Sequence, residues 1–446
     1  ALKGSKGNGS DHIKEAISNG AVVIISNQSL NLSEDIKFIV DENPRKFLSV
    51  LASRFYKNKP DKIIAVTGTN GKTSVAWFVR EIWRELGIHS ASIGTLGLLT
   101  DIGSNSLNNT TPEPIELFQS LSKVAEEGAS HVVVEASSHG LHQHRLDGVK
   151  ISTAGFTNLT RDHLDYHGTI ESYFSSKMRL FNQVMQPKGN VVLNADSHYY
   201  PEIVNICKNF GHRIISYGKH GGTLRINDVQ ANSISQNIHL EANGNLREIR
   251  LPIVGDFQAW NALCALGMVI GAGADIEDSI EALTKIHTVP GRIQLVAELN
   301  GGKIFVDYAH TPDALRSCLS ALRQHKHNHL TVVFGCGGDR DRGKRSEMGS
   351  IASSLADRVI VTDDNPRSEN SASIRKEVMN GCSNAFEVSD RAEAIEFGLS
   401  GMGEGDILLI AGKGHEASQI VGSSVLDFDD SVVVRNIVKE LSKVEV

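Results

Sequence analysis

Short apolar runs alternate with longer segments of helical periodicity over most of the chain. From residue 62 onward these runs are continuous: "KIIAVTG", "HVVVEASS", "STAGFTNL" and "NVVLNAD". Strands buried on both faces have this pattern, and their alternation with helices is typical of a doubly wound, mostly parallel sheet. We therefore predict an α/β fold for this part of the chain.

Residues 223–251 have a different pattern, in which polar and apolar positions alternate. The segments are "LRINDVQA", "QNIHLEA" and "REIRLP". A period of two indicates strands with one exposed face, so we predict antiparallel strands added at an edge of the sheet. A helix is predicted next, in "AWNALCALGMVIGAG", and Pro290 and Gly291 then indicate a junction between domains.

The α/β alternation resumes after this junction and also occurs, on a smaller scale, before residue 60. The predicted elements are "DHIKEAISNG", "AVVIIS" and "PRKFLSVLASRFY" in the early part, and "KIFVDYA", "HLTVVFGCGG", "RVIVTDD" and "DILLIAG" in the late part. The predicted fold class is thus α/β with three domains. They are an N-terminal α/β domain (1–59), a central P-loop domain (60–289) and a C-terminal Rossmann-like domain (290–446). Because the chain opens abruptly, we expect the N-terminal domain to be truncated.

Composition and charge exclude several classes of protein. The chain has 446 residues, which is too long for a single compact core. Its net charge of −7 argues against a general nucleic-acid binder, and no apolar run is long enough to cross a bilayer. The five cysteines are dispersed without a C-x-x-C pair, which favours reduced thiols over disulfides or a zinc site. We expect a cytoplasmic monomer with neither nucleic acid nor membrane as a partner.

The stretch "IIAVTGTNGKTSVAWFVREIWRELG" joins a predicted strand to an amphipathic helix through a glycine-bearing turn. The common phosphate-binding pattern has glycine where this chain has Val66, but Gly68 and Gly71 keep a shorter G-x-x-G-K-T form. Backbone N–H groups at the start of the helix would bind phosphate, Lys72 would reach the β- and γ-phosphates, and Thr73 would hold Mg²⁺. The alternative is a glycine turn followed by a surface lysine.

Glu135 ends the predicted strand "HVVVE". Parallel strands present their C-terminal ends at the ligand edge of the sheet, where a carboxylate can coordinate Mg²⁺ beside phosphates. Alone, Glu135 would be an ordinary acid at a strand end. Together with the loop, the metal role is favoured.

Eight motifs occur in a fixed order along essentially the whole chain. They are "GTNGKTS" (68–74), "TTPEP" (110–114), "EASSHGLHQHRL" (135–146), "TNLTRDHLDYHG" (157–168), "DYAHTPDAL" (307–315), "GCGGDRDRGKR" (335–345), "DNPR" (364–367) and "GKGHE" (412–416). This series resembles the Mur ligases, amide-forming enzymes of peptidoglycan synthesis. The resemblance implies ATP-driven addition of meso-2,6-diaminopimelate to the D-glutamyl carboxylate of UDP-N-acetylmuramoyl-L-alanyl-D-glutamate, through an acyl phosphate.

The resemblance also implies which residues hold the nucleotide and the metal ion. The implied ATP-binding residues are Gly68, Thr69, Asn70, Gly71, Lys72, Thr73, Ser74, Asn261, Arg292, Asp307 and His310. The implied ligands of Mg²⁺ are Thr73, Glu135, His163 and, once carbamylated, Lys177. Lys72, Glu135, His163 and Lys177 are the implied catalytic residues. Considered without the family, His163 would be a structural histidine and Lys177 a surface lysine.

Two further groups of residues match the family's substrate positions. Those implied for the UDP-muramoyl substrate are Thr110, Thr111, Ser137, Gln143 and Arg145. Those implied for meso-diaminopimelate are Arg340, Asp364, Asn365, Arg367, Gly412 and Glu416. Two arginines suit the distal carboxylate of this amino acid, and Glu416 with the Gly412 carbonyl suits its ammonium group. The alternative for "DDNPR" is a simple turn at a strand end.

The chain departs from the family pattern in places, and other functions stay open. The opening segment that would hold uracil is mostly missing before Ala1, Gln258 replaces a common asparagine, and Ser346 a common proline. The alternatives within enzymes are the lysine-adding muramoyl ligase, which Arg367 argues against, and a folylpolyglutamate synthetase-like ligase. The alternatives in other classes are an ATP-hydrolysing nucleotide switch and a non-catalytic nucleotide-binding module.

Overall fold

The computed structural model describes residues 1–2, 7–28, 36–232, 234–325 and 328–444. Its N-terminal part holds two short helices and a parallel pair of strands: α1 (Ile13–Ser18), β1 (Val23–Ser26), β2 (Lys37–Val40) and α2 (Pro44–Phe55). Asn43 caps α2 by accepting from the Lys46 N–H, and Pro44 stands in the first turn, where a missing N–H costs nothing. The Ser53 hydroxyl on α2 donates to the Gly148 carbonyl at 2.9 Å, which attaches this unit to the next.

An eleven-stranded sheet forms the centre of the molecule. Its strands are β3 (Lys62–Thr67), β4 (Ser90–Gly94), β5 (Gly97–Thr100), β6 (Gly103–Asn105), β7 (His131–Glu135), β8 (Ile151–Phe156), β9 (Asn190–Asn194), β10 (Arg213–Gly218), β11 (Leu224–Ala231), β12 (Gln236–Ala242) and β13 (Asn245–Leu251). Their order is β13-β12-β11-β10-β9-β8-β3-β7-β4-β5-β6. The seven strands from β11 to β4 pair in parallel, and antiparallel strands extend both edges.

Helices cover both faces of this sheet. They are α3 (Lys72–Glu85), α4 (Pro114–Glu126), α5 (Ser138–His142), α6 (Leu164–His167), α7 (Ile170–Arg179), which continues as a π-helical turn (Leu180–Val184), α8 (Tyr200–Asn209), α9 (Asp256–Gly271) and α10 (Ile276–Leu283). In β3, Ile64 and Val66 belong to the core that includes α3 and α9, whereas Ile63 and Ala65 belong to the core that includes α4. Because successive side chains of a strand point to opposite faces, a strand covered on both sides must be apolar throughout.

The C-terminal part contains a six-stranded sheet, a hairpin and five helices. The strands are β14 (Gln294–Leu299), β15 (Gly302–Asp307), β16 (Leu330–Phe334), β17 (Arg358–Val361), β18 (Phe386–Glu387), β19 (Ile407–Ala411), β20 (Ser418–Val421) and β21 (Ser424–Asp427). The helices are α11 (Pro312–Gln324), α12 (Lys344–Leu355), α13 (Ser371–Met379), α14 (Arg391–Leu399) and α15 (Asp430–Val444). The sheet order is β14-β15-β19-β16-β17-β18, with only β14 antiparallel, and β20 pairs with β21 as a separate hairpin.

The predicted α/β class and the mostly parallel central sheet are confirmed. The three strands predicted in residues 223–251 lie at one edge as β11, β12 and β13, but β11 pairs in parallel with β10 and antiparallel only with β12. The strands β5 and β6 at the opposite edge were not predicted. The sheets fall within the ranges 1–59, 60–289 and 290–446, and these boundaries remain predictions. Across the described part of the chain, every helix is too short or too polar to cross a bilayer. The five cysteines, all in described segments, form no disulfide.

Candidate active site

The turn between β3 and α3 forms a tightly built loop. Gly68 and Gly71 adopt φ angles of 152° and 86°, which favour glycine. A Cβ atom at Gly68 would lie 1.8 Å from Thr157 Oγ1, and one at Gly71 would lie 2.3 Å from Asn261 Oδ1. Both glycines are therefore required by backbone conformation and by close packing. The loop ends on α3, whose first N–H groups face the same side and are suited to bind phosphate.

The segment after β8 supports this loop from the neighbouring strand. The Asn70 N–H donates to Asn158 Oδ1 at 2.9 Å, and Thr157 Oγ1 donates to the Asn70 carbonyl at 2.6 Å. The Thr69 N–H donates to the Asn158 carbonyl at 2.9 Å. Sequence reasoning did not assign Thr157 or Asn158. Their position directly after a buried parallel strand was the signal that could have identified them.

Two lysine amines meet at the loop. Lys72 Nζ donates to the carbonyls of Gly68 (3.0 Å) and Thr69 (2.8 Å), while Lys177 Nζ donates to the same Gly68 carbonyl at 2.7 Å. Lys177 is buried, with its amine 4.2 Å from the centre of the Tyr173 ring. Burial lowers the pKa of Lys177 well below its ordinary value, and the charge of Lys72 lowers it further. An amine of lowered pKa is neutral more often at physiological pH, and only the neutral amine reacts with carbon dioxide to form a carbamate.

Glu135 lies at the end of β7, directly beside the loop. Its carboxylate accepts from Thr73 Oγ1 at 3.0 Å, from the Thr95 N–H at 2.8 Å and from Thr95 Oγ1 at 3.1 Å. Burial raises the pKa of Glu135, and Lys72 together with these hydrogen bonds opposes that effect. A hydroxyl and a carboxylate oxygen in contact are hard oxygen donors of the kind that Mg²⁺ prefers. Thr95 was not predicted.

His163 is on the loop that precedes α6, and it has a left-handed backbone with φ of 53°. The adjacent Asp162 contacts it twice. The His163 N–H donates to Asp162 Oδ1 at 2.8 Å, and His163 Nε2 lies 3.5 Å from Asp162 Oδ2. Burial would raise the pKa of Asp162, but the nearby His163, His310 and Lys72 leave it lower than usual. An anionic Asp162 therefore lies among several basic groups. The sequence did not single it out.

A cavity of about 680 Å³ lies between the loop and the C-terminal part of the molecule; Glu135 does not line it but contacts Thr73, which does. It is lined by Thr73, His163 and Lys177 on the central side and by Arg292 and His310 on the other. All the predicted nucleotide-binding residues except Gly68 line this cavity. Gly68 does not line it, but its carbonyl accepts hydrogen bonds from Lys72 and Lys177, which do.

The C-terminal side of this cavity has its own internal contacts. The Arg292 guanidinium lies 4.4 Å from the centre of the Tyr308 ring. Both carboxylate oxygens of Asp307 accept backbone N–H groups, from Ile293 (2.6 Å) and Ala309 (2.7 Å). Through these two bonds Asp307 stabilises the backbone at Ile293 and Ala309. Burial raises the pKa of Asp307.

Four of the five residues predicted for the UDP-muramoyl substrate form one hydrogen-bonded group, whereas Thr110 Oγ1 lies 3.0 Å from Thr95 Oγ1. Thr111 Oγ1 donates to the Glu135 carbonyl at 2.7 Å and lies 3.0 Å from the Ser137 hydroxyl, and Arg145 Nη1 donates to the Thr111 carbonyl at 2.6 Å. Arg145 Nη2 also reaches Gln143 Oε1 at 2.9 Å. Of the five predicted residues, only Thr110 and Ser137 line the cavity. The other three contact one another beside it.

A second cavity, of about 930 Å³, adjoins the first. It is lined by all six residues predicted for the amino acid: Arg340, Asp364, Asn365, Arg367, Gly412 and Glu416. Asp162, His163 and His310 line both cavities, so the two spaces are adjacent. The six residues predicted for the amino acid lie on the loops that follow β16, β17 and β19. These loops meet because the carboxyl ends of parallel strands share one edge of a sheet.

The second cavity contains a charge cluster that the sequence only partly revealed. Asn365 Nδ2 donates to Glu416 Oε2 at 3.0 Å. The buried amine of Lys413 lies 3.3 Å from Asn365 Oδ1 and 3.5 Å from Glu416 Oε2. Arg367 Nη1 donates to the Gly338 carbonyl at 2.9 Å. Lys413 lies within the quoted "GKGHE" motif, but its role in holding Asn365 and Glu416 was not predicted.

Comparison with known proteins decides the family. The description "Mur ligase middle domain" matches residues 66–269, and "Mur ligase, glutamate ligase domain" matches residues 291–414. A protein from Agrobacterium fabrum is 45% identical, over 99% of this chain and 90% of its own length. The chain belongs to the Mur ligase family. It is an ATP-dependent ligase, as the sequence predicted.

The names of these Mur ligase relatives state which two substrates those relatives join. The Agrobacterium protein is called UDP-N-acetylmuramoyl-L-alanyl-D-glutamate–2,6-diaminopimelate ligase, and so is a Zymomonas mobilis protein that is 46% identical over 98% of this chain and 91% of its own. A solved structure of the same name superposes with a TM-score of 0.70 and 35% identity, covering 96% and 89% of the two chains. Mycobacterium tuberculosis folylpolyglutamate synthase has a TM-score of 0.68 at 18% identity, covering 83% and 92%, which shows a shared fold alone.

Proposed function

We propose that this Mur ligase adds meso-2,6-diaminopimelate to the D-glutamyl carboxylate of UDP-N-acetylmuramoyl-L-alanyl-D-glutamate, with ATP as the energy source. The observation that carries the proposal is the second cavity, in which all six residues predicted for the amino acid lie together. The second cavity shares Asp162, His163 and His310 with the loop cavity, which would bring an amine near a carboxylate activated beside Lys72. The names of the similar proteins support the same reaction.

The chemical problem is the low reactivity of a carboxylate. Transfer of the γ-phosphoryl group of ATP to this carboxylate makes an acyl phosphate and releases ADP. The amine then attacks the acyl carbon, and the tetrahedral intermediate expels phosphate. In our proposal Lys72 and the N–H groups of the loop stabilise the charge on the phosphoryl oxygens. Closure of the cavity around the bound ligands would limit hydrolysis of the acyl phosphate.

The donor groups of the site fit magnesium. Thr73 and Glu135 already present oxygens in contact, at 3.0 Å. His163 and a carbamylated Lys177 would provide further ligands from the same cavity. When bound, Mg²⁺ would neutralise phosphate charge and polarise the transferred phosphoryl group. In the unmodified lysine, the Tyr173 ring and the Gly68 carbonyl fix the position of the amine that would be carbamylated.

The residues of the second cavity would recognise the far end of the amino acid. Arg340 and Arg367 offer planar, charged donors to its distal carboxylate. Glu416, already held by Asn365 and Lys413, would receive the distal ammonium together with the Gly412 carbonyl. L-lysine lacks this distal carboxylate, so Arg340 and Arg367 would have no anionic partner when L-lysine is bound. We further propose that the chain acts as a monomer in the cytoplasm, since one chain supplies all the residues discussed.

An assay of ADP formation tests the proposal. The purified chain is incubated with ATP, Mg²⁺ and the UDP-muramoyl dipeptide, with and without meso-diaminopimelate. We expect ADP and the tripeptide product only when the amino acid is present. Steady ADP release without it would support a nucleotide switch instead. Product formation with L-lysine, or glutamate addition to a folate, would support the other ligases.

A further inference from the structure

The β20–β21 hairpin contacts the segment that carries the predicted amino-acid-binding residues, although no residue of the hairpin, all of which the structure describes, lines the second cavity. Gln419 Nε2 donates to the Asp364 carbonyl at 2.6 Å, and the Ile420 N–H donates to Asn365 Oδ1 at 2.9 Å. The hairpin thus supports residues 364–367 from outside the cavity.

The contact with Ile420 determines which end of the Asn365 amide meets Glu416. A backbone N–H can only donate, so the atom that accepts from Ile420 must be the amide oxygen. The amide nitrogen then faces Glu416, to which it donates at 3.0 Å. Lys413 supports the same orientation from 3.3 Å on the oxygen side. The hairpin therefore sets the pattern of donors and acceptors at this end of the cavity.

The hairpin also holds Arg367 in an unfavourable backbone conformation. Its φ angle of 52° lies in the left-handed region, which residues with side chains rarely adopt. The Arg367 N–H donates to the Ile420 carbonyl at 3.1 Å, and the Gly422 N–H donates to the Arg367 carbonyl at 2.8 Å. A parallel bridge pairs Arg367 with Val421. These contacts keep the guanidinium on the cavity side, where it lines the space.

We propose that Gln419 is a positioning residue for amino-acid specificity: by bonding the Asp364 carbonyl, it holds Asn365 and Arg367 where they recognise the distal carboxylate and ammonium of the substrate. This inference rests on the proposed function. Gln419 is the side chain that attaches the hairpin to the start of the segment, and the remaining bonds of the hairpin to the segment use backbone donors. Removal of its amide should loosen the recognition end of the cavity and leave the phosphate loop unchanged.

Two variants of nearly equal shape test the inference. Gln419→Met removes the donor, and Gln419→Glu points an anion at the Asp364 carbonyl. We expect the KM for meso-diaminopimelate to rise about tenfold in Gln419→Met, the scale of leaving a buried acceptor unpaired, and further in Gln419→Glu. The KM for ATP and kcat should stay unchanged. The preference for meso-diaminopimelate over L-lysine should fall, because L-lysine lacks the distal carboxylate that these residues recognise.

Val425→Thr is the matched control, since Val425 pairs with Ile420 in the hairpin but is 67% exposed. The KM for meso-diaminopimelate, the KM for ATP and kcat of Val425→Thr should equal those of the unchanged chain. Wild-type KM for meso-diaminopimelate in both glutamine variants, or a parallel rise of the KM for ATP, overturns the inference. Thermal unfolding checks the fold, and Gln419→Met carries the test if Gln419→Glu does not fold. Absence of turnover with meso-diaminopimelate in the unchanged chain would instead be a failure of the proposed function.

Discussion

At the residue scale, Lys177 has an unusual environment for a lysine. Its amine is buried and has one carbonyl acceptor, Gly68, at 2.7 Å. A permanent ammonium is costly at such a position, because burial disfavours the charged form. Conversion to a carbamate would replace the cation by an anion close to Lys72. The proposed modification therefore removes a repulsion between two buried cations and adds an oxygen ligand.

Lys177→Arg should reduce kcat by roughly 10²-fold or more, the scale of losing one preorganised electrostatic group. Arginine keeps the positive charge but cannot become a carbamate of this kind. ADP formation measured in buffers with and without bicarbonate provides the second readout, and the unchanged chain should lose activity when bicarbonate is removed.

Lys150→Arg, an exchange of the same type at an exposed position, is the control. Full turnover of Lys177→Arg would show that no modified lysine is needed.

At the element scale, a buried ion pair fastens the last helix to the sheet near the second cavity. Arg391 on α14 binds Asp430 on α15 through Nε and Nη2, both at 2.7 Å, and both side chains are fully buried. Arg391 also donates to the carbonyls of Ala411 (3.1 Å) and Asp363 (3.3 Å). These two residues immediately precede Gly412 and Asp364. The pair therefore links the end of the chain to the predicted recognition residues.

Arg391→Met should destabilise the C-terminal part by about 3–5 kcal/mol, because it leaves the Asp430 carboxylate buried and unpaired. The double variant Arg391→Met with Asp430→Leu should recover much of this loss, since it removes both charges. Hydrogen exchange of α14 and α15 measures the effect.

Arg435→Met, an exposed arginine of α15, serves as the control. A double variant no more stable than the single one would contradict the explanation.

At the scale of the whole molecule, several buried histidines make stability depend on pH. Burial lowers the pKa of four histidines to about 4, with nearby cations contributing: His139, His167, His310 and His415. In the unfolded chain a histidine has a pKa near 6.5. Between these two values the unfolded state binds more protons than the folded state. Stability therefore rises with pH across this window and is lost as the pH falls.

The urea midpoint of unfolding should accordingly decrease as the pH is lowered from about 6.5 to about 4, the window set by the ordinary and shifted histidine values. His310→Asn should flatten this dependence. A midpoint that is constant over this range, or that increases on acidification, would contradict the prediction.

The site is assembled from separate parts of the chain, which contact each other at a few positions, and we expect these parts to move relative to one another. Asn70 of the phosphate loop reaches Asp313 of α11 at 3.2 Å, and Arg161 lies 3.8 Å from Asp341. Between these parts, Gly291 has a φ of 66°, at the predicted junction between domains, so we expect residues 290–292 to act as a hinge.

Small-angle scattering should show a smaller radius of gyration when an ATP analogue and the UDP-muramoyl dipeptide are both added. Closure around ligands would bring the amine side to the activated carboxylate and exclude water. ATP analogue alone is the comparison sample. An unchanged radius with both ligands would count against closure.

Local patterns determined a large part of this protein. The apolar run of β3, the glycines at 68 and 71 and the helix after them are neighbours in the chain, so periodicity and turn chemistry predicted them correctly. Glu135 was placed beside the loop by one general rule, that parallel strands share a ligand edge. The motif series predicted the family.

Only the tertiary structure decided how the distant parts support one another. Asn158 holds Asn70 from 88 positions away, and Gln419 holds Asp364 from 55 positions away. Such contacts leave no periodic trace, because each needs only one polar side chain that is acceptable in many loops. The burial of Lys177 and Lys413 was hidden for the same reason. A lysine in the sequence carries no sign of the packing that encloses it, and that packing gives these amines their chemistry.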